Sequence, residues 1–365
     1  MKINFNQLDR GYFKYQNEYD LAVLQTLKSG WYILGKNVER FESEFADFIG
    51  TKFCVGLNSG LDALILAFRA LGVGIGDEVI VPANTYIASV LGITENGATP
   101  VFVEPDHYFN LDDNRIEEKI TKNTKAILVV HLYGQAANMK RIKEIANRNK
   151  LYLIEDCAQS HGAKFENRTT GAWGDIGCFS FYPTKNIGAF GDSGAIVTDN
   201  PLIYEKIKML RNYGSKIKYH NEILGVNSRL DEIQAAILSV KLSHYNQLQK
   251  EREKISRRYL DEIKNEFIKL PKIRENAGHV WHLFVIRTDD RKKLQKYLTD
   301  HEIGTQIHYP IPPHLSKAYD FLGHKQGNLT ITENYADTVI SLPLYEGMTE
   351  AEVSYVINII NEYEG

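Results

Sequence analysis

The sequence predicts an α/β fold with a mostly parallel sheet covered by helices on both faces, followed by a smaller α+β unit. Between about residues 52 and 200, short apolar runs alternate with segments of helical period, as expected when crossover helices join parallel strands. Beyond Pro201 the pattern changes to long helices and then to a shorter mixture of helix and strand. The 365 residues also exceed the roughly 250–300 that one core usually serves. Two domains are therefore expected: an amino-terminal arm with a large domain over 1–245, and a small domain over 246–365.

The strand-like runs are Phe53–Leu57, Glu78–Val81, Pro100–Val103, Ala126–His131, Leu151–Asp156, Gly177–Phe181 and Gly194–Thr198. Between the first two, Leu64, Ala67, Phe68 and Leu71 recur at i, i+3, i+4 and i+7, which predicts a helix over Leu61–Leu71. Ile142, Ile145 and Ala146 carry the face of another helix beginning after Asn138. Further helices are expected over Pro201–Tyr213 and, as one long element, over Arg229–Glu262. In the small unit a strand is expected at Val280–Arg287, with helices at Lys292–Asp300 and Thr349–Tyr363.

Composition narrows the function classes. The formal net charge of −3 provides no general attraction for nucleic acid or an anionic membrane, so an anionic ligand needs local groups. No run approaches the ~20 apolar residues of a membrane span. Met1-Lys2-Ile3-Asn4-Phe5 carries no apolar stretch of a secretion signal, and a cytoplasmic protein is expected. Cys54, Cys157 and Cys178 are too scattered for a disulfide framework or a zinc site, and no metal is expected.

Two segments carry the chemistry. Glu155-Asp156-Cys157-Ala158-Gln159-Ser160-His161 places carboxylates at the end of an apolar strand, and Ser180-Phe181-Tyr182-Pro183-Thr184-Lys185-Asn186 follows a second strand with a hydroxyl and a lysine. Pyridoxal 5′-phosphate (PLP) needs such groups: an amine to form a Schiff base, an acid beside the pyridine nitrogen, and donors for the phosphate. Lys185 is the candidate amine. Asp156 is the candidate acid, preferred over Glu155 because strand alternation points the two in opposite directions. Asn58-Ser59-Gly60-Leu61 follows a strand and opens a helix, so Ser59 and Gly60 can receive the phosphate with Ser180, although a serine there is also an ordinary helix cap. Tyr86 is a candidate for stacking on the ring or for the core, and Gln159 or His161 can meet the ring hydroxyl. Gly72-Val73-Gly74-Ile75-Gly76-Asp77 imitates a dinucleotide fingerprint but follows a helix and precedes a strand. That order is wrong for a nicotinamide-dependent sugar oxidoreductase.

These residues, together with Ser29-Gly30-Trp31, Leu61-Asp62-Ala63-Leu64, Gly76-Asp77-Glu78-Val79-Ile80-Val81-Pro82 and Asn227-Ser228-Arg229-Leu230-Asp231, resemble the DegT/DnrJ/EryC1/StrS family of PLP-dependent sugar aminotransferases over nearly the whole chain. The resemblance implies fold type I, the architecture of aspartate aminotransferase. It implies Lys185 as the covalent partner of PLP, Asp156 at the pyridine nitrogen, Gln159 at the ring hydroxyl, and Ser59, Gly60 and Ser180 at the phosphate. Asn227 would reach the phosphate held by the partner subunit, making a homodimer necessary for a complete site. Relatives that dehydrate carry histidine in place of the lysine. Keeping Lys185 therefore implies transamination, with L-glutamate as the donor that converts PLP to pyridoxamine phosphate.

Substrate class follows from the same resemblance. Tyr182 stands where many 4-aminotransferases carry histidine. The runs His279–Phe284 and Ile307–His314 resemble those of 3-aminotransferases acting on dTDP-3-keto-6-deoxyhexoses, although His282 and Trp281 are also candidate core residues. The expected product is dTDP-3-amino-3,6-dideoxy-galactose, with the gluco epimer and amination at C4 as alternatives. A non-catalytic PLP-binding regulator is disfavoured because Lys185 is present and no segment is spare for a DNA-binding module. Ser193 stands where relatives often carry glycine, and implies an altered turn if that position needs a positive φ.

Overall fold

A computed structural model describes all residues, 1–365. Seven strands form the central sheet: β1 (Phe53–Leu57), β2 (Glu78–Pro82), β3 (Thr99–Val103), β4 (Thr124–Val130), β5 (Tyr152–Asp156), β6 (Ile176–Ser180) and β7 (Gly194–Thr198). Their order across the sheet is β1-β7-β6-β5-β4-β2-β3. Only β7 is reversed, pairing antiparallel with both β1 and β6, while the other adjacent pairs are parallel. This is the mostly parallel sheet of fold type I.

Alternation along the strands divides the core into two layers. Val55, Val79, Val81, Leu128, Ile154, Cys178 and Ile196 pack on one face against helices α1 (Gly60–Leu71) and α2 (Ile87–Thr94). Ile80, Ile127, Val129 and Leu153 point the other way, toward Ile142 and Ile145 of α3 (Met139–Asn149). Phe179, Ala195 and Val197 also lie on that second face, beneath Phe41 and Phe45 of the helix Lys36–Ile49. Near-continuous apolar strands are what a sheet buried on both faces requires.

The Arg229–Glu262 stretch departs from the expected single helix. It forms two helices, Glu232–Ser243 and Tyr245–Glu262, separated at His244 (φ −97°, ψ 1°). The break accommodates the amino-terminal arm: the His244 ring stacks on Tyr15 at 3.8 Å and its Nε2 meets Glu18 at 2.9 Å.

The carboxyl-terminal part has its own apolar cluster. It is built around the antiparallel pair β8 (Phe284–Arg287) and β9 (Val339–Leu342), with Leu294, Leu298, Val356 and Ile360 from flanking helices. Ile3 joins this cluster, and Arg10 forks onto Glu352 with two 2.7 Å bonds, so the arm ties the two ends of the chain together. No helix is long and apolar enough to cross a membrane.

Candidate active site

The carboxyl ends of β1, β2, β4, β5 and β6 open on one edge of the sheet, where open α/β sheets bind ligands. A cavity of about 490 Å³ lies there, lined by Ser59, Gly60, Tyr86, Asp156, Gln159, Ser180 and Lys185 among others. Seven of the residues singled out in the sequence thus meet in one place. Asn227 does not line it: the side chain is exposed in a segment bridged to Asn212.

Glu155 and Asp156 separate by strand alternation. Glu155 is fully buried on the far face, where it accepts the N–H groups of Gly171, Trp173 and Gly174 at 2.8, 2.8 and 2.7 Å, and its Oε2 lies 3.0 Å from His131 Nε2. It organises a loop. Asp156 turns toward the cavity and accepts from Ser89 Oγ at 2.7 Å and Ala158 N–H at 3.1 Å. Burial raises its pKa, while those two hydrogen bonds and the Lys185 charge act in the opposite direction.

Lys185 follows β6 in a turn closed by its N–H to the Tyr182 carbonyl at 2.8 Å. It is half-buried and faces the cavity, and desolvation there lowers its pKa to about 8 against the pull of Asp156. A neutral amine is therefore available near neutral pH. His282, also in the lining, is neutral: burial lowers it well below its ordinary range. Asn186 Nδ2 donates to the Val280 carbonyl, so its Oδ1 accepts from His282 Nδ1–H at 3.1 Å and Nε2 is left as an acceptor. His282 is thus a cavity residue as well as a packed one. Trp281 is buried and stacked on His279.

The Ser59–Gly60 turn is a tight cradle. Ser59 Oγ caps α1 by accepting the Asp62 N–H at 3.1 Å, which leaves its own proton free for an anion. A Cβ on Gly60 would lie 2.5 Å from Ser180 Cβ, and one on Gly194 would lie 2.2 Å from the Ser59 carbonyl oxygen. Backbone and hydroxyls therefore converge only because both positions are glycine. Ser193 adopts no positive φ, so serine there costs no backbone strain. The Gly72–Asp77 segment is a helix-to-strand connection.

Gln159 and Tyr86 are also located. Gln159 Oε1 accepts the Tyr133 N–H at 2.6 Å, which orients the amide so that Nε2 reaches Tyr309 Oη at 3.1 Å and keeps a second N–H. The Tyr86 ring is half exposed and lies 5.0 Å from that of Tyr309. His161 is buried between Phe179 and Phe181 and does not line the cavity. Thr85 and Ser89, absent from the sequence reading, also line the cavity, where Ser89 bonds Asp156. Their burial, Thr85 just before α2 and Ser89 within it, is set by tertiary packing, and no local motif marks it.

An amine and a buried carboxylate share a cavity that also contains an anion cradle at a helix start. This donor set fits PLP: Lys185 for the aldehyde, Asp156 for the ring nitrogen, and Ser59, Gly60 and Ser180 for the phosphate. Fold and site together define a fold type I PLP enzyme. The DegT/DnrJ/EryC1/StrS aminotransferase family model matches residues 14–361, and the chain belongs to that family. It is a PLP-dependent aminotransferase. Over 362 residues it is 51% identical to a dTDP-3-amino-3,6-dideoxy-alpha-D-galactopyranose transaminase of Aneurinibacillus thermoaerophilus, covering 99% of both chains. A dTDP-3-amino-3,4,6-trideoxy-alpha-D-glucose transaminase of Streptomyces venezuelae is 44% identical over 364 residues, covering 99% of this chain and 96% of the relative. Among solved structures, S. venezuelae DesV in complex with a ketimine intermediate superposes with a TM-score of 0.97 at 44% identity, covering 99% of this chain and 98% of that one.

Proposed function

We propose that the chain transfers the amino group of L-glutamate to C3 of a dTDP-3-keto-6-deoxyhexose, giving dTDP-3-amino-3,6-dideoxy-galactose. The observation that carries the chemistry is the meeting of Lys185 and Asp156 in one cavity with the Ser59–Gly60 cradle. The sugar is supported by the 51% identity to a transaminase named for that product. When bound, PLP supplies a ring that withdraws electrons from the reacting carbon.

In this reading Asp156 holds the pyridine nitrogen protonated. Ser59, Gly60 and Ser180 anchor the phosphate, Gln159 orients the ring hydroxyl, and Tyr86 packs on the ring. Lys185 Nζ takes the α-proton of the donor in one half-reaction and delivers a proton to C3 of the sugar in the other. Its lowered pKa suits both tasks.

The active unit is proposed to be a cytoplasmic homodimer, each chain having its arm and large PLP-binding domain over 1–245 and its small domain over 246–365. Asn227 supports the shared site, because it is exposed and away from its own cavity. Leu21, Leu24, Leu27 and Trp31 add an exposed apolar row for a second copy to cover. The separate apolar cluster around β8 and β9 supports the division of domains.

Borohydride treatment of the holoenzyme followed by peptide mass analysis tests the site. The reduced cofactor is expected on Lys185, and a label on any other lysine overturns the assignment.

A further inference from the structure

Asp156 has one side-chain hydrogen-bond partner. Ser89, buried on α2, donates from Oγ to Asp156 Oδ2 at 2.7 Å, while Oδ1 accepts the Ala158 N–H at 3.1 Å. Ser89 Oγ is in turn 2.7 Å from the hydroxyl of Thr85, which is equally buried. An ionised carboxylate only accepts. While Asp156 is charged, Ser89 must donate to it and Thr85 must donate to Ser89, so the chain of hydroxyls has one direction.

We propose that Ser89, backed by Thr85, is a positioning residue for transamination: it holds Asp156 ionised and in one orientation toward the pyridine nitrogen of PLP. The inference rests on the reading of Asp156 as the cofactor's acid. Thr85 lies in the connection between β2 and α2 and Ser89 in the first turn of α2, both beside Asp156. Without the Ser89 donor, Oδ2 would be buried with no side-chain partner, and the carboxyl would rotate or take up a proton. The other titratable groups facing Asp156 are Lys185, His131, Tyr309 and the thiols of Cys157 and Cys178. None of them hydrogen-bonds it.

The test uses the Ser89→Ala, Ser89→Thr and Thr85→Val holoenzymes, with Asp156→Asn beside them. Ser89→Ala is expected to lower kcat about 10- to 100-fold, with KM for both substrates within about threefold. It should also weaken PLP retention in equilibrium dialysis about tenfold, on the scale of losing a partner that orients a ligating group. The midpoint of the pH-dependent visible absorbance should move with it. Ser89→Thr should return all three readouts to within about threefold of the original, and Thr85→Val should give a smaller change in the same direction. A folded Ser89→Ala protein with unchanged kcat, retention and midpoint overturns the proposal, as does a folded Ser89→Thr protein no better than Ser89→Ala. If Ser89→Ala does not fold, the Thr85→Val result decides. An Asp156→Asn protein with unchanged kcat sinks the reading of Asp156 as well. An impaired Asp156→Asn protein beside a normal Ser89→Ala protein sinks this proposal alone.

Discussion

Glu155 and Asp156 are neighbours in sequence and act on opposite faces of the sheet. Glu155 receives three backbone N–H groups of the loop 171–174 in a fully buried site, whereas Asp156 receives Ser89 and faces the cavity shared with Lys185. One carboxylate is an element of the scaffold and the other belongs to the site.

Exchanging each for its amide separates the two tasks. Glu155→Gln leaves backbone donors without a charged acceptor and is expected to destabilise the fold by about 3–5 kcal/mol. Asp156→Asn should leave the urea midpoint nearly unchanged and reduce kcat at least 100-fold. Denaturation and steady-state kinetics on both variants give the answer, and a destabilised but active Asp156→Asn enzyme would reverse the assignment.

Apoenzyme should capture PLP with a pH dependence set by Lys185. The attacking form is the neutral amine, and burial lowers its pKa to about 8. The rate of recovery of visible absorbance should therefore rise with pH and level off above about pH 8. A rate still climbing toward pH 10 would indicate an ordinary, solvated lysine.

The cradle can be closed by one methyl group. Gly194→Ala places a Cβ against the Ser59 carbonyl and should cost about 1–3 kcal/mol while weakening PLP retention. Ser193→Gly, next to it, is expected to change neither by much. Equilibrium dialysis of both variants compares them directly.

Asn227→Ala should leave the melting temperature within a few degrees and weaken PLP retention, because the residue is exposed in its own chain. Unchanged retention would count against a contact with the partner's phosphate.

The arm is expected to loosen in acid. Glu352 is lowered to about 2, chiefly by its hydrogen bonds to Arg10. Its folded pKa lies below the unfolded value of about 4.3, so the stabilisation is complete above that pH and is lost as pH falls toward 2. Arg10→Met should cost stability at pH 7, and the difference from the original protein should shrink below about pH 4. Urea titrations at several pH values would show it.

The sheet was legible because each strand is a short apolar run bounded by polar turns. The site was legible because its residues stand at strand ends, as Asp156 and Ser180 do. Three features were not. The break at His244 depends on Tyr15 and Glu18, more than two hundred residues away. Strand β9 takes its identity from pairing with β8 across some fifty residues of chain. Ser89 acquires its place beside Asp156 only when α2 packs on the sheet. In each case the deciding contact is non-local, and periodicity carries no signal of it.

The central claim is amine transfer to C3 of a dTDP-linked keto sugar. NMR analysis of the product formed from L-glutamate, PLP and a mixture of dTDP-3-keto- and dTDP-4-keto-6-deoxyhexoses tests it most directly. The expected product carries nitrogen at C3, with the proton coupling at C4 showing the galacto configuration. Nitrogen at C4 would contradict the substrate assignment while leaving the cofactor chemistry of Lys185 and Asp156 in place.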